Sequence, residues 1–283
     1  MTQDASPTPS PRSEAPAYAD VVDLDRYPIH NLASAGGQQL IADCRAQLAA
    51  DGACTLPRFI RPEAVAEMVR LALELEHRAW SSNQDHTVYF TTPDPSHGAN
   101  HPLARTVRSA KHGIAYDLIP GDAPVRRLYE SDDLTHFIAA VLDKPVLYRS
   151  ADPLDAMQMT VFREGDELGW HFDNSEFSTT VMYQPAESGG DFLYAPGLRS
   201  SDDENYEGVQ RVLDGYDQEH LRVLPSEPGT LAFFRGQHAM HWVTPVEGTR
   251  PRINTVLTYG ERPDMRLSDL TSTIFYGRTS SPA

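Results

Sequence analysis

The sequence predicts an α+β protein in which helices from the N-terminal half support a β-sandwich or barrel from the C-terminal half. Two observations carry this prediction. Before Pro145, apolar residues recur at the three- and four-residue spacing of amphipathic helices. After Pro145, short runs rich in β-branched and aromatic residues are separated by Gly and Pro, which is typical of all-β architectures.

The length and charge of the chain limit its class. Its 283 residues, 40% of them hydrophobic, suffice for one large core. A net charge of −16 without a stripe of Lys or Arg disfavours a nucleic-acid partner. No apolar run approaches the roughly 20 residues of a membrane span, and MTQDASPTPSPRSEAP lacks the pattern of a signal peptide. Because Cys44 and Cys54 are too few for a disulfide framework, we expect a cytoplasmic protein.

The composition also predicts the domain organisation. Residues 1–25 begin with a stretch dense in Pro, Ser, Thr and Ala, which buries too little apolar surface to fold, so we expect a disordered tail. The remainder, 26–283, is expected to form one domain. It comprises helical support and a lid (26–144), a β-rich core (145–262) and a C-terminal segment (263–283).

Three helices are expected in the supporting part. The first covers 35–50, and a short strand over 53–60 follows it. The second begins at Pro62, a residue that is favoured in the first turn. The third has Ser131 as its N-cap and runs to Lys144. Between the last two helices, 83–125 is polar and poorly periodic, which predicts an irregular lid or binding loop.

The expected strands of the core are short alternating runs. In chain order they are LYRSA, AMQMTVFR, WHF, STTVMYQ, GDFLYAP, TLAFFRG, MHWVTPV and INTVLTYG. No internal repeat interrupts them. They predict a single sandwich or barrel.

The stretch GWHFDN, residues 169–174, contains a candidate metal site. On a strand, His171 and Asp173 face the same side. A third ligand is offered downstream by His238 or His241 in RGQHAMHWVTPVEGTRPR. Two histidines and one carboxylate form the facial triad of non-haem Fe(II) oxygenases, which leaves open positions for a cosubstrate and dioxygen. An isolated pair such as His171 and Asp173 is more often a surface pair, so the downstream histidines decide the interpretation.

Two arginines follow the second block. Arg250 and Arg252 stand beside the apolar run INTVLTYG. A guanidinium group binds a carboxylate through two parallel hydrogen bonds. The pair therefore suggests a site for an organic-acid cosubstrate, although alone it would be read as the solvated end of a strand.

These blocks resemble the Fe(II)/2-oxoglutarate-dependent oxygenases. GWHFD, STTVMYQPAESGGDFLY and PGTLAFFRGQHAMHWVTPVEGTRPR are similar to the double-stranded β-helix (jelly-roll, cupin-like) core of that superfamily, over roughly 145–262. LYRSADPLDAMQMTVFREGDELGWHFDNSEF, DDENYEGVQRVLDG, HWVTPVEG and the terminal FYGR resemble the branch of free amino-acid hydroxylases and halogenases.

The resemblance implies roles for particular residues. His171, Asp173 and His241 match the iron ligands, with His241 preferred to His238 because WVTPVEGTR follows it. Arg250 matches the residue for the C5 carboxylate of 2-oxoglutarate, and Arg252 is the second candidate. The implied reaction consumes Fe(II)-activated O2 and 2-oxoglutarate, releases succinate and CO2, and hydroxylates an unactivated C–H bond.

Asp173 sets the expected outcome of that reaction. In halogenating members, the resemblance says, a small residue stands at this position and leaves a coordination site for chloride. A carboxylate here would occupy that site and add negative charge to the iron. Hydroxylation is therefore expected and halogenation disfavoured.

The expected substrate is a small molecule, an amino acid or similar amine of secondary metabolism. Its candidate contacts are Asn174 and Trp170 beside the ligand strand, and His101, Arg105 and Arg108 in the expected lid. The resemblance also implies that Tyr276 and Arg278 fold back over the mouth of the barrel. The sequence leaves the oligomeric state open, with a homodimer as one option.

Three alternatives remain at this point. The same centre can desaturate, cyclise or epimerise its substrate. The substrate can instead be a peptidyl side chain, as in prolyl-hydroxylase-like members, for which an open groove would be expected. A barrel that binds metal or ligand without turnover is disfavoured by the complete triad and the arginine that follows it.

Overall fold

Helices and strands alternate in the first half of the chain, and strands dominate the second. The computed structural model describes residues 15–280. Its α-helices are α1 (Ala35–Asp51), α2 (Pro62–Leu75), α3 (Pro124–Tyr129), α4 (Asp132–Val141), α5 (Tyr206–Leu213) and α6 (Asp269–Tyr276). Its strands are β1 (Ala53–Leu56), β2 (Trp80–His86), β3 (Val107–Ile114), β4 (Tyr148–Arg149), β5 (Met157–Phe162), β6 (Glu167–His171), β7 (Ser178–Gln184), β8 (Ser188–Gly189), β9 (Phe192–Ala195), β10 (Arg222–Leu224), β11 (Leu231–Phe234), β12 (Met240–Val243), β13 (Val246–Glu247), β14 (Arg252–Leu257) and β15 (Tyr259–Gly260).

An antiparallel sheet of 11 strands forms the body of the protein. Its order is β1-β11-β7-β14-β5-β3-β6-β12-β9-β10, with β2 paired to β3. The sheet curls so that strands distant in this order, such as β14 and β12, line one cavity. Two small ladders, β13 with β8 and β15 with β4, brace its loops. This architecture confirms the predicted α+β fold with a jelly-roll barrel.

The alternation of side chains divides each strand between two environments. On β5, Gln158, Thr160 and Phe162 line the cavity, whereas Met159 and Val161 belong to the main apolar core. Residues from α1, α2 and α4 complete that core, and α2 packs against β5 and β7. Because successive side chains of a strand point to opposite faces, the same strands both anchor the helices and supply the site.

The three predicted helices are present, with ends set by local backbone geometry. The side chains of Ser34 and Ser131 cap α1 and α4 by accepting backbone hydrogen bonds. The third helix ends at Val141, before the expected Lys144, and Asp143 adopts a φ of 57°. The strand expected over 53–60 ends at Leu56, because Pro57 follows it and Arg58 has a φ of 57°.

The segment 83–125 differs from the irregular lid that the sequence predicts. Most of β2 and all of β3 lie within or at the edge of this segment, and β3 runs between β5 and β6 inside the sheet. The polar residues on β3 obscured it in the sequence: Lys111 lines the cavity, and the buried Ser109 hydrogen-bonds with the Gly169 amide and His86. Between the two strands, 87–106 forms turns without regular structure.

The first described residues of the chain pack onto the core. Of the expected tail 1–25, residues 1–14 lie outside the described part of the structure. From residue 15 onward the chain is ordered against the core: Tyr18, Val21 and Val22 are fully buried, and Val22 forms a bridge with Ile60. These apolar side chains offset the entropy of ordering the segment. None of the described helices is long and apolar enough to cross a bilayer.

Candidate active site

The three predicted iron ligands converge at one end of the barrel. His171 ends β6, and it lies opposite His241 of β12 in the antiparallel register. The chain then turns, with the Asp173 amide donating to the Gly236 carbonyl over 3.0 Å. Asp173 Oδ1 lies 3.6 Å from His171 Nε2 and 3.5 Å from His241 Nε2. Neighbouring strands therefore bring together residues that are far apart in sequence.

Backbone carbonyl groups fix the orientation of both imidazoles. Nδ1 of His171 is 2.8 Å from the Gly169 carbonyl oxygen, and Nδ1 of His241 is 2.9 Å from that of Ala239. Because a carbonyl oxygen only accepts, each Nδ1 carries the hydrogen and each Nε2 presents a lone pair to the carboxylate side. A metal-binding histidine needs this arrangement. Both rings are buried, at 3% and 2% exposure.

The environment keeps the site in the protonation state that a metal requires. Burial would raise the pKa of Asp173, but His241, His171 and a hydrogen bond from the Ser178 hydroxyl together hold that pKa well below its usual range. Burial, reinforced by His241, lowers the pKa of His171 well below its ordinary value. A neutral imidazole beside an ionised carboxylate is the ligating form.

Glycine at position 236 makes room for the carboxylate. A Cβ added there would lie 2.0 Å from Asp173 Oδ2 and 2.8 Å from Asp173 Cγ. The Ser178 hydroxyl donates to the same Oδ2 atom, so Oδ1 is left for the metal. Gly236 and Ser178 thus orient Asp173, although neither was expected from the sequence. In the sequence, Gly236 was visible only as a glycine two residues before the candidate ligand His238.

The donor set fits Fe(II). One ligand atom each of His171, Asp173 and His241 can be chosen such that all lie within 4.8 Å of one another. Two imidazoles and one carboxylate with open positions match a non-haem Fe(II) centre. His238 is not in this group, since it lies in the turn between β11 and β12, where its amide donates to the Arg235 carbonyl.

Arg252 lies in the same cavity as the triad and fits the second carboxylate of 2-oxoglutarate. The side chain is 4% exposed and stands over the Phe162 ring, 5.3 Å from its centroid. Its Nη1 donates to Asn254 Oδ1, but its Nε has no hydrogen-bond partner in the described structure. Burial lowers its pKa to about 10. A buried cation without an anion is costly, and a bound carboxylate would complete it.

Arg250, the first candidate for that role, lies elsewhere. It is exposed, its Nη2 donates to the Ala186 carbonyl over 2.9 Å, and it borders a separate surface groove. Residues 250 and 252 would face the same way only on an extended strand through both. Instead β14 begins at Arg252, after the turn at Gly248 and Pro251. Arg252 is therefore the better placed of the two.

The predicted substrate contacts divide into one that lines the cavity and four that do not. Asn174 borders the cavity near its mouth. Trp170 points to the opposite face of β6 and packs on Trp242, with ring centroids 5.5 Å apart. The remaining three have other partners: Arg105 pairs with Asp214 at 2.5 Å, Arg108 pairs with Glu167 at 3.3 Å, and His101 stacks on His97 at 4.2 Å. These four side chains make packing contacts and ion pairs outside the cavity instead.

Several cavity residues were missed by the sequence analysis. Lys111 of β3, Gln158 of β5 and Asp155 just before it form a polar group in the wall. Lys111 belongs to the segment that was expected to be irregular. Asp155 lies two residues before β5, in the stretch LYRSADPLDAMQMTVFR. The sequence of β3, VRSAKHGI, has no regular alternation that could have identified the lysine.

Aromatic residues from the turns and from α6 close the cavity. Phe90 packs against His171 and Phe275 with ring centroids 5.1 Å and 5.9 Å apart. Its φ of 53° lies in the left-handed region, which is unusual for a bulky residue. Tyr276 of α6 is buried, and Arg278 pairs with Asp117 at 2.7 Å. The C-terminal segment therefore packs over the barrel as the sequence predicted.

Comparisons with known proteins identify the family. The family model described as halogenase D, HalD, matches residues 37–274. The chain belongs to the halogenase D family. Curated proteins gave no match. The family name concerns halogenation, so the carboxylate at Asp173 bears directly on what this member does.

Several solved structures share the fold. AviO1 from Streptomyces viridochromogenes Tue57 is 16% identical, with 80% of this chain and 97% of that chain covered and a TM-score of 0.53. The α-ketoglutarate-dependent epimerase SnoN from nogalamycin biosynthesis is 15% identical, covering 79% and 83%, also at 0.53. A prolyl hydroxylase from Trichoplax adhaerens is 13% identical, covering 80% and 94%, at 0.50.

These findings agree with the predicted superfamily. The HalD-family protein shares its fold with the epimerase SnoN, which was solved in complex with Fe3+ and α-ketoglutarate, and its triad could hold a metal ion. The triad and Arg252 fit that set of ligands. The low sequence identities establish the fold and leave the substrate to be argued from the cavity.

Proposed function

We propose that this protein hydroxylates an unactivated C–H bond of a small free amino acid, in a cytoplasmic reaction of secondary metabolism that releases succinate and CO2. His171, Asp173 and His241 would hold Fe(II), and Arg252 would hold the distal carboxylate of 2-oxoglutarate. When bound, the iron and 2-oxoglutarate supply the oxidant that removes hydrogen from the substrate. The chain itself supplies binding, orientation and exclusion of water.

The carboxylate of Asp173 is the observation that carries the choice of hydroxylation. Its Oδ1 atom faces both imidazoles at 3.5 to 3.6 Å, and Ser178 and Gly236 hold it there. A carboxylate at this position takes the coordination site that a halide would need and adds negative charge to the metal. These contacts favour oxygen insertion over chlorination in this member of the family.

The family name favours halogenation as a second candidate. The family model covers most of the chain, and the sequence outside the triad resembles both halogenases and hydroxylases. Halogenation would require Asp173 to leave the metal while its hydrogen bond from Ser178 is broken. Because that hydrogen bond holds the carboxylate beside both imidazoles, we rank halogenation below hydroxylation.

The aromatic residues beside the triad support a small free substrate. Phe90 and Phe275 stand over the triad, and Arg278 fastens the end of α6 to Asp117. A peptide substrate needs an open groove through which the chain enters and leaves. The Trichoplax adhaerens hydroxylase was solved with a peptide fragment; the aromatic cover found here argues for a smaller molecule. Closing a site also keeps water away from the reaction.

The test is succinate release with Fe(II), 2-oxoglutarate, O2 and a panel of free amino acids, with the products identified by mass spectrometry. The proposal predicts that at least one amino acid raises succinate release and gains one oxygen atom. Turnover of peptides but of no free amino acid would contradict the substrate class. A product with a new double bond or ring would replace hydroxylation by desaturation or cyclisation.

A further inference from the structure

The cavity has a second polar group beside the metal and 2-oxoglutarate sites. Among the described residues that line it, the charged side chains are the triad, Arg252, Lys111 and Asp155. The proposed function assigns roles to the three residues of the triad and to Arg252. Lys111 and Asp155 therefore remain as one positive and one negative group without an assigned role.

Lys111 has unused capacity to donate hydrogen bonds. Its Nζ donates to Gln158 Oε1 over 2.9 Å and lies 5.3 Å from the centroid of the Phe275 ring. It forms no ion pair with a carboxylate in the described part of the chain. Because an ammonium group has three donors, two of them remain available to an anion in the cavity. A lysine held in a wall without an anion suggests that a ligand brings one.

Asp155 is held in place from its other side. It accepts hydrogen bonds from the Tyr276 hydroxyl over 2.6 Å and from Thr258 Oγ1 over 3.3 Å. Its carboxylate borders the same cavity as Lys111. Since each carboxylate oxygen accepts more than one hydrogen bond, both oxygens can still receive an N–H donor. The Tyr276 contact fixes the carboxylate against α6, so its position depends on the closed C-terminal segment.

The rest of this wall is uncharged. Phe90, Phe177, Val256 and Phe275 supply apolar surface, and Asn174 supplies an amide. A second ammonium or a second carboxylate on a substrate would enter this enclosure without a partner of opposite charge. Burying an unpaired charge is strongly unfavourable. The cavity is thus balanced for a ligand with one charge of each sign.

We infer that Lys111 and Asp155 recognise a zwitterion whose side chain is uncharged: Lys111 binds the substrate carboxylate and Asp155 binds its ammonium group. This inference rests on the proposed function and narrows its substrate class to neutral amino acids. Lys111 and Asp155 are then specificity residues. Basic and acidic amino acids are excluded because their third charge finds no further partner of opposite charge among the described residues that line the cavity.

The experiment compares substrates and variants together. The substrates are neutral amino acids (norvaline, leucine, methionine), charged ones (lysine, arginine, aspartate, glutamate) and, for each neutral substrate, its amide and its 2-hydroxy acid. The variants are Lys111→Met, Lys111→Arg and Asp155→Asn. Arg108→Met is the matched control, since Arg108 lies on the same strand but is exposed and does not line the cavity. Product formation gives kcat and KM, and Fe(II)/2-oxoglutarate absorbance shows that each variant still assembles the metal site.

The inference predicts changes in substrate preference that a folding defect would not produce. Neutral amino acids are turned over, and the charged ones are at least about tenfold poorer in kcat/KM, as an unpaired buried charge requires. Lys111→Met raises the KM of the neutral acid by about 10- to 100-fold but scarcely changes that of its amide. Asp155→Asn similarly reduces the preference for the amino acid over the 2-hydroxy acid. Lys111→Arg keeps the preference for the acid over the amide, because it retains the positive charge, and Arg108→Met stays close to the unsubstituted protein.

Two results overturn these assignments separately. If amino acids are turned over but Lys111→Met leaves the ratio of acid to amide unchanged, or if lysine or glutamate is as good a substrate as leucine, the recognition pair is wrong and the proposed function stands. If no free amino acid is turned over while the Fe(II)/2-oxoglutarate absorbance is normal, the proposed function itself fails, and the inference fails with it.

Discussion

Gly236 lies against the Asp173 carboxylate and leaves no room for a side chain at position 236. A Cβ at position 236 would lie 2.0 Å from Asp173 Oδ2, and the Gly236 carbonyl accepts the Asp173 amide hydrogen bond over 3.0 Å. The metal-binding carboxylate is therefore positioned by a glycine on the loop between β11 and β12, close in space to His241. The loop that presents the last ligand also makes room for the second.

Gly236→Ala is expected to weaken iron binding. The added methyl group pushes the Asp173 carboxylate away from the Ser178 hydroxyl and from both histidines. Loss of a supporting contact around a metal ligand typically lowers metal affinity by about 10- to 100-fold. Titration of the apoprotein with Fe(II), followed by the absorbance of the 2-oxoglutarate complex, measures this change.

The control for that substitution is the Asp173→Gly background. Without the carboxylate there is nothing for the methyl group to displace, so Gly236→Ala should then cost little further affinity. Neighbouring residues that act on each other show this kind of non-additivity. Equal losses in both backgrounds would mean that Gly236 acts on the fold and not on Asp173.

Arg252→Met is expected to raise the KM for 2-oxoglutarate by about 10- to 100-fold, the range of a lost hydrogen bond to a charged group. Arg250→Met is the matched control. It removes an arginine that lies two positions earlier, is exposed and donates to the Ala186 carbonyl. Initial rates at varied 2-oxoglutarate separate the two. A larger increase in KM for Arg250→Met than for Arg252→Met would place the 2-oxoglutarate site at the surface groove that Arg250 borders.

The pH dependence of kcat/KM follows from the two recognition residues. Burial raises the pKa of Asp155 to about 6, with Asp152 adding to the effect and Tyr276, Lys111 and Thr258 opposing it. Burial lowers the pKa of Lys111 to about 8 against the attraction of Asp155 and Asp173. A zwitterion needs Asp155 ionised, above its pKa, and Lys111 protonated, below its pKa. The profile should be bell-shaped between these values, which belong to the pair. A flat profile from pH 5 to 9, a span of about four units, would contradict it.

Tyr276→Phe should move only the acidic limb of that profile. The hydroxyl hydrogen bond stabilises the ionised Asp155 carboxylate, so its loss raises the pKa of Asp155. Because fewer molecules are then ionised, kcat/KM falls more at the acidic end than near the basic limb. Tyr27→Phe is the control, since its hydroxyl donates to the Pro57 carbonyl and does not line the cavity. A uniform fall at every pH would indicate a packing defect.

The barrel and the triad could be predicted because their signals are local. Alternation along β5, β6 and β14 predicts strands directly. His171 and Asp173 were recognised by their two-residue spacing, although β6 ends at His171 and Asp173 lies in the turn that follows. The helix starts at Ser34 and Ser131 are equally local, since capping depends on one side chain and the next turn. Local patterns of this kind require no knowledge of which strands are neighbours.

The remaining parts of the site depend on strand pairing and on turns. Lys111 reaches the cavity only because β3 inserts between β5 and β6, and its polar side chains resemble those of a loop. The choice between Arg250 and Arg252 depends on where β14 begins, and strand boundaries are poorly determined by sequence. Gly236 became meaningful only when Asp173 was found beside it.

The most direct test of the account concerns the atom that enters the product. The protein with Fe(II), 2-oxoglutarate, a neutral amino acid, excess chloride and isotope-labelled dioxygen should give a hydroxylated amino acid whose new oxygen carries the label. Mass spectrometry reads this result without any substitution in the chain. A chlorinated amino acid as the main product would show that the carboxylate of Asp173 does not close the iron to halide, and would contradict the central claim.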